Sequence, residues 1–139
     1  MTLEQVLRNA GANLDSQEWS FALKQVHLHV SVDETKMDCY GSYPCRFSQS
    51  TIRGSVIISE RDGYVVGANG GILVICPAVN DMPVTIYLEK KVIRIAEAES
   101  KLLKFIVNVK TNDEVFTFRA PKKIGVDIEK LVNKVRNSI

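Results

Sequence analysis

Few residues in this chain are of types and spacings that do chemistry. His27-Leu28-His29 and, further on, Cys39 and Cys45 are the side chains that zinc selects. The two cysteines lie six residues apart across Tyr40-Gly41-Ser42-Tyr43-Pro44, unlike the short spacing of a zinc knuckle, so no metal is expected. In an oxidising compartment Cys39 and Cys45 would be the pair to join. Cys76, at the end of the apolar run Ile72 to Cys76, reads as a small core residue. Gly67-Ala68-Asn69-Gly70-Gly71 is glycine-rich, but a strand pattern follows it. A phosphate loop needs a helix N-terminus to hold the anion, so this stretch reads as a hairpin turn. Glu97 and Glu99 are the close carboxylates of interest, and on a strand end they read as solvated. No Ser, Cys or Asp stands in a nucleophile motif, so neither an enzyme nor a cofactor is expected.

Two sets of side chains point to binding instead. Lys90, Lys91 and Arg94, followed by Lys101 and Lys104, form a candidate patch for an anionic ligand. Trp19, Tyr40 and Tyr43 fall outside the clearest strands; exposed, they would be natural anchors of a protein interface, and otherwise covers for the mouth of a barrel.

The elements that must position these residues are clearest at the C-terminal end. Leu102 to Val109 and Glu114 to Arg119 alternate apolar and polar residues around the turn Thr111-Asn112-Asp113. A helix follows, with Ile124, Ile128, Leu131, Val132, Val135 and Ile139 on one face and Asp127 or Gly125 as its expected cap. Earlier, Thr2-Leu3-Glu4-Gln5 has the spacing of a capping box, and Gly11 closes that short helix. Residues 15–25 admit a helix capped by Asp15 or Ser16, with Trp19, Ala22, Leu23 and Val26 on one face. They also admit a strand through Trp19, Phe21 and Leu23; the helix is preferred.

From Val26 the period becomes two, with Val26, Leu28, Val30 and Val32 inward, until Asp33-Glu34-Thr35. Residues 36–50 carry no readable pattern. Thr51 to Glu60 reads as a strand, Arg61-Asp62-Gly63 as an Asp-Gly hairpin turn, and Tyr64 to Gly67 as the return strand. After the buried run Ile72 to Cys76 and a loop at 77–83, Val84 to Ala96 alternates in part, with a bend at Glu89-Lys90-Lys91.

The totals suit one soluble domain. At 139 residues, 45% hydrophobic and 24% charged, the chain can bury roughly two-thirds of its unfolded surface. Its longest apolar runs fall far short of the roughly 18 residues of a membrane span, and the charges within residues 1–20 argue against a signal peptide. Three cysteines and no C-x-x-C point to a reduced, cytoplasmic protein. The net charge of +2 is uneven: residues 1–70 hold six Lys/Arg against eight Asp/Glu, and residues 71–139 hold twelve against eight. Scattered lysines on amphipathic strands are also how sheet edges stay soluble.

About seven short antiparallel strands followed by one amphipathic helix form a distinctive order. It resembles the pleckstrin-homology-like superfold, an α+β fold in which a bent β-barrel or sandwich is capped by a C-terminal helix. Within that superfold, residues 72–139 are similar to the GRAM and bacterial PH-like group. The likeness is carried by Val92-Ile93-Arg94-Ile95, by the hairpin Phe105 to Phe118, and by the helix around Asp127 to Val132. The chain is expected to be a single domain, with the barrel and helix over 26–139 and a helical extension over 1–25 that departs from the family pattern. The resemblance implies a non-catalytic module that binds a protein partner or assembles with itself. Anionic lipid through the basic second half is the alternative, and nucleic acid is not expected. Lipid-binding members carry their basic cluster between the first two strands. Here that region is read as the acidic Asp33-Glu34-Thr35-Lys36, which favours the protein partner.

Overall fold

The structure is a computed structural model and describes residues 1–29, 37–78 and 81–138. Helix α1 (Leu3–Asn9) opens with the expected capping box. The Thr2 hydroxyl accepts from the Gln5 N–H at 3.2 Å, and the Gln5 side chain accepts from the Thr2 N–H at 2.9 Å. Gly11 closes the helix at φ 94°, the left-handed conformation in which a side chain is strained, and the Ala12 N–H reaches back to the Leu7 carbonyl at 3.0 Å.

Helix α2 (Gln17–His29) begins at Ser16, whose hydroxyl accepts from the Trp19 N–H at 3.3 Å. Trp19, Ala22 and Val26 are buried and Leu28 is 73% exposed. The strand expected from Val26 is therefore helix as far as His29, and the helical stretch ends there rather than at residue 25. Val26 fits both periods, and burial of the 19-22-26 stripe decides for the helix. The remainder of that expected strand, Val30 to Val32, lies outside the described residues, as do Asp33 to Lys36, Ile139 and the His29 side chain.

Strands β1 (Cys39–Thr51), β2 (Val56–Ala68), β3 (Gly71–Cys76), β4 (Val84–Glu89), β5 (Ile95–Ser100), β6 (Phe105–Lys110) and β7 (Glu114–Ala120) form one open antiparallel sheet in the order β4-β3-β2-β1-β7-β6-β5. The illegible stretch at 36–50 thus holds most of a thirteen-residue strand. Pro44 is tolerated because only β2 flanks it, opposite Tyr64, and the β7 ladder begins at Arg46.

The Asp62-Gly63 turn does not exist. Gly63 sits inside β2, where an added Cβ would lie 2.4 Å from the Cys76 sulfur, so the glycine serves a close approach between strands. The hairpin turns at Ile52-Arg53-Gly54-Ser55, with Gly54 at φ 97° and the Thr51 N–H bonded to the Ser55 carbonyl at 2.8 Å. Among the described residues, the loop between the first two strands is therefore this one, carrying Arg53.

The expected bend after β4 is a single 3₁₀ turn, Lys90–Val92. The last hairpin forms as read, except that β6 starts at Phe105 and Leu103 stands outside it.

Helix α3 (Lys122–Asn137) starts at Pro121, earlier than the expected caps. Gly125 and Asp127 lie within it, and Gly125 is a glycine because a Cβ there would meet Phe105 at 2.3 Å. Its stripe of Ile128, Leu131, Val132 and Val135 is buried. The helix packs on β1, β2 and β3 and on β5, β6 and β7, so the sheet curves around it.

Two cores result. One lies between α3 and the inner sheet face, centred on Phe47, Phe118 and Ile128. The other lies where α1 and α2 cover the outer face through Leu7, Trp19, Val66 and Leu73. Strand β3 is apolar throughout because each of its faces serves one core. Among the described residues, no helix is long and apolar enough to cross a membrane.

Candidate functional site

Strand β1 changes partners in its middle. Cys39 to Cys45 pair with the second half of β2, and Arg46 to Thr51 pair with β7 as well. At that change a cleft of about 540 Å³ opens. Pro44 and Cys45 of β1 and Gly63 and Tyr64 of β2 line one side. The first turn of α3 (Pro121, Ile124) and the β5–β6 turn (Leu103, Lys104) line another, and Glu18 and Trp19 of α2 approach from the outer face.

Three charged groups of the cleft, Arg46, Asp62 and Arg119, are tied into one ion-pair network with Glu60 beside it. Arg46 bonds Glu60 at 2.8 Å and Asp62 at 3.3 Å, and Arg119 reaches the same Glu60 at 3.5 Å. Lys104 makes no salt bridge among the described residues, and its ammonium is the cation left at the mouth.

The ionisable groups with displaced pKa values are all shifted the way burial shifts them. Burial pushes the Cys45 thiol up to about 12, with neighbouring Cys76 adding to it, and the Cys76 thiol up to about 12 despite Arg61. Cys39 rises to about 11, again by burial first. Tyr64 and Tyr87 are raised for the same reason. A nucleophile needs the opposite shift, so these groups stay protonated and unreactive at neutral pH. Cys39, Cys45 and Cys76 are therefore expected to resist Ellman's reagent in mildly alkaline buffer and to react only once denaturant is added. Rapid modification of the native protein would show that the sheet does not bury them.

Cys39 and Cys45 cannot join as a disulfide. Cys39 belongs to the outer core and Cys45 to the inner one, because a register shift between Cys39 and Gly41 turns the strand over. Six residues of strand also separate them by about 20 Å, against the 7 Å limit between bridged Cα atoms.

The three aromatics do not share a surface. Trp19 is 6% exposed and packs edge-on against Tyr64 at 5.3 Å, meeting the cleft only along one side. Tyr40 and Tyr43 lie half-buried on β1 under α3, where the Lys134 ammonium sits 4.6 Å over the Tyr40 ring. Burial raises the Tyr43 pKa, and Asp127 adds to the effect.

The basic set also divides. Lys90 is spent on the Ser138 carbonyl, Lys91 pairs with Glu89 at 3.0 Å, and Arg94 donates to Asn112 at 3.1 Å, all near the C-terminus of α3 or the β4–β5 corner. Lys101 and Lys104 stand at the far end of β5, about 20 Å of strand away.

Sequence reading missed Pro44, Gly63, Tyr64, Pro121 and Leu103 as cleft residues. The sequence reads Leu103 as part of a strand and Gly63 as a turn residue, so neither pointed to a cleft. Comparison of the chain with known protein-family models finds no match, and comparison with curated proteins finds none either.

Proposed function

We propose that this chain is a non-catalytic PH/GRAM-like binding module, in which the apolar cleft beside Pro44 and Ile124 receives an apolar side chain of a protein partner. Support for the PH-like reading comes from the seven-stranded meander, whose last strand returns to β1, and from α3, which touches both halves of the sheet. The function rests on the cleft itself: it is concave and mostly apolar, and its Arg46, Asp62 and Arg119 are held in ion pairs. A partner held this way gains from desolvated anchors, and its affinity changes little with salt.

Trp19 is the one tryptophan and lines the cleft, so occupancy changes its emission. Peptides selected from a displayed library are expected to share an apolar anchor, to shift Trp19 fluorescence, and to bind with little dependence on salt. They should lose at least tenfold in affinity to Ile124→Glu, with folding checked by circular dichroism. Selected peptides that ignore Ile124→Glu, or a library that yields none, would remove the cleft from the function. A second copy of this chain is one such partner, visible as concentration-dependent mass in sedimentation.

A further inference from the structure

The β5–β6 turn reads Lys101-Leu102-Leu103-Lys104, and the Lys101 N–H closes it on the Lys104 carbonyl at 2.8 Å. Leu102 is 96% exposed and Leu103 is 83% exposed. Turn tips favour Gly, Asn, Asp, Ser and Pro because those residues satisfy the backbone locally. Neither leucine does that, and folding buries almost nothing of either, so the fold gives no reason for two leucines at this tip.

The surroundings are cationic. Lys104 precedes Phe105, which pairs with Ala120 of β7, and Ala120 leads through Pro121 into the exposed Lys122 and Lys123. Lys101 has Glu99 at 3.9 Å as its carboxylate, and both side chains are more than half exposed, a pairing of little strength. The other carboxylates nearby are engaged or set back: Glu97 holds Lys110 at 3.1 Å, Asp62 holds Arg46, and Glu18 lies across the cleft.

We propose that this turn is a membrane-docking tip: Leu102 and Leu103 enter an anionic bilayer while Lys101, Lys104, Lys122 and Lys123 meet its headgroups. Apolar insertion and headgroup attraction together hold a peripheral protein where either one alone is marginal. A nucleic acid has no place for two projecting leucines, whereas the acyl region has. Glu97 and Glu99 along β5 set the depth, because they keep the strand itself off an anionic surface and leave the tip as the contact. The tip shares Leu103 and Lys104 with the cleft lining, whereas Leu102 lies outside it, so Leu102 separates the two readings.

Flotation with phosphatidylcholine vesicles, with and without phosphatidylserine, tests it. Binding is expected to the anionic vesicles alone and to weaken as salt rises. Lys122→Ala and Lys123→Ala should each weaken it about fivefold. Leu102→Ser should weaken it about tenfold or more, at no risk to folding, given its exposure. Leu102→Trp should show blue-shifted emission on binding and quenching by brominated acyl chains, while the uncharged Ile124→Ala leaves binding intact. No binding to anionic vesicles overturns the proposal, as does binding that Leu102→Ser leaves unchanged. Loss in Ile124→Ala alone would place the lipid in the cleft. Equal, Leu102-dependent binding of polyglutamate would make the partner an acidic protein.

Discussion

Phe118→Ala is expected to destabilise the protein by about 3–5 kcal/mol. Phe118 is fully buried and stands opposite Phe47 in the β1–β7 ladder, with ring centroids 5.5 Å apart. Phe47 in turn stacks on Phe116 at 6.4 Å. That ladder is the seam joining the β1–β4 meander to the β5–β7 meander, since the two edge strands β4 and β5 are not paired with each other. Removing the ring takes away its burial and its aromatic contacts and leaves a cavity that strands on both sides of the seam hold open. Chemical denaturation measures the loss. A midpoint change worth less than about half a kcal/mol, the size of a surface substitution, would mean that the seam is not packed as described.

Leu131→Ala is expected to cost about 2–5 kcal/mol, and its partner substitution tests the reason. Leu131 of α3 lies over two strand positions without side chains. An added Cβ at Gly41 would be 3.8 Å from Leu131 Cδ1, an ordinary contact, whereas one at Gly67 would be 2.5 Å from the same atom. Gly67→Ala alone is therefore expected to overpack the seat and cost about 1–3 kcal/mol. In the double variant the alanine methyl at Gly67 occupies part of the space that Leu131 leaves. The combined loss should then be smaller than the sum of the single losses by about 0.5–3 kcal/mol. Strict additivity would show that the helix does not seat on Gly67.

The thiol, peptide and vesicle experiments address function, whereas these two address the frame that holds the cleft and the tip in place. The frame matters to both sites, because α3 contributes Pro121 and Ile124 to the cleft and Lys122 and Lys123 to the tip.

The C-terminal third was legible because its signals are local. Alternation through Phe105, Val107 and Val109, and through Phe116 and Phe118, needs only neighbours two residues apart. The stripe of Ile128, Leu131, Val132 and Val135 needs only one helical turn. The capping box at Thr2 and Gln5 is likewise a four-residue matter. These residues by themselves determined an antiparallel hairpin, the helix that packs on it, and an α+β chain.

What the tertiary structure alone decided was set by contacts distant in sequence. Strand β1 carries Gly, Ser and Pro and is a strand because β2 and β7 flank it. Gly63, next to Asp62, resembles a turn and is a strand residue because Cys76 presses on it from β3. Val26 fits two periods and became helical because a stripe with Trp19 and Ala22 could be buried on the outer face of the sheet. The division of the lysines follows the same rule. Lys90, Lys91 and Arg94 look continuous with Lys101 and Lys104 along the chain, yet a six-residue strand carries the two groups to opposite ends. Lys122 and Lys123, about twenty residues further on, come to rest beside Leu102 and Leu103 only because Phe105 pairs with Ala120.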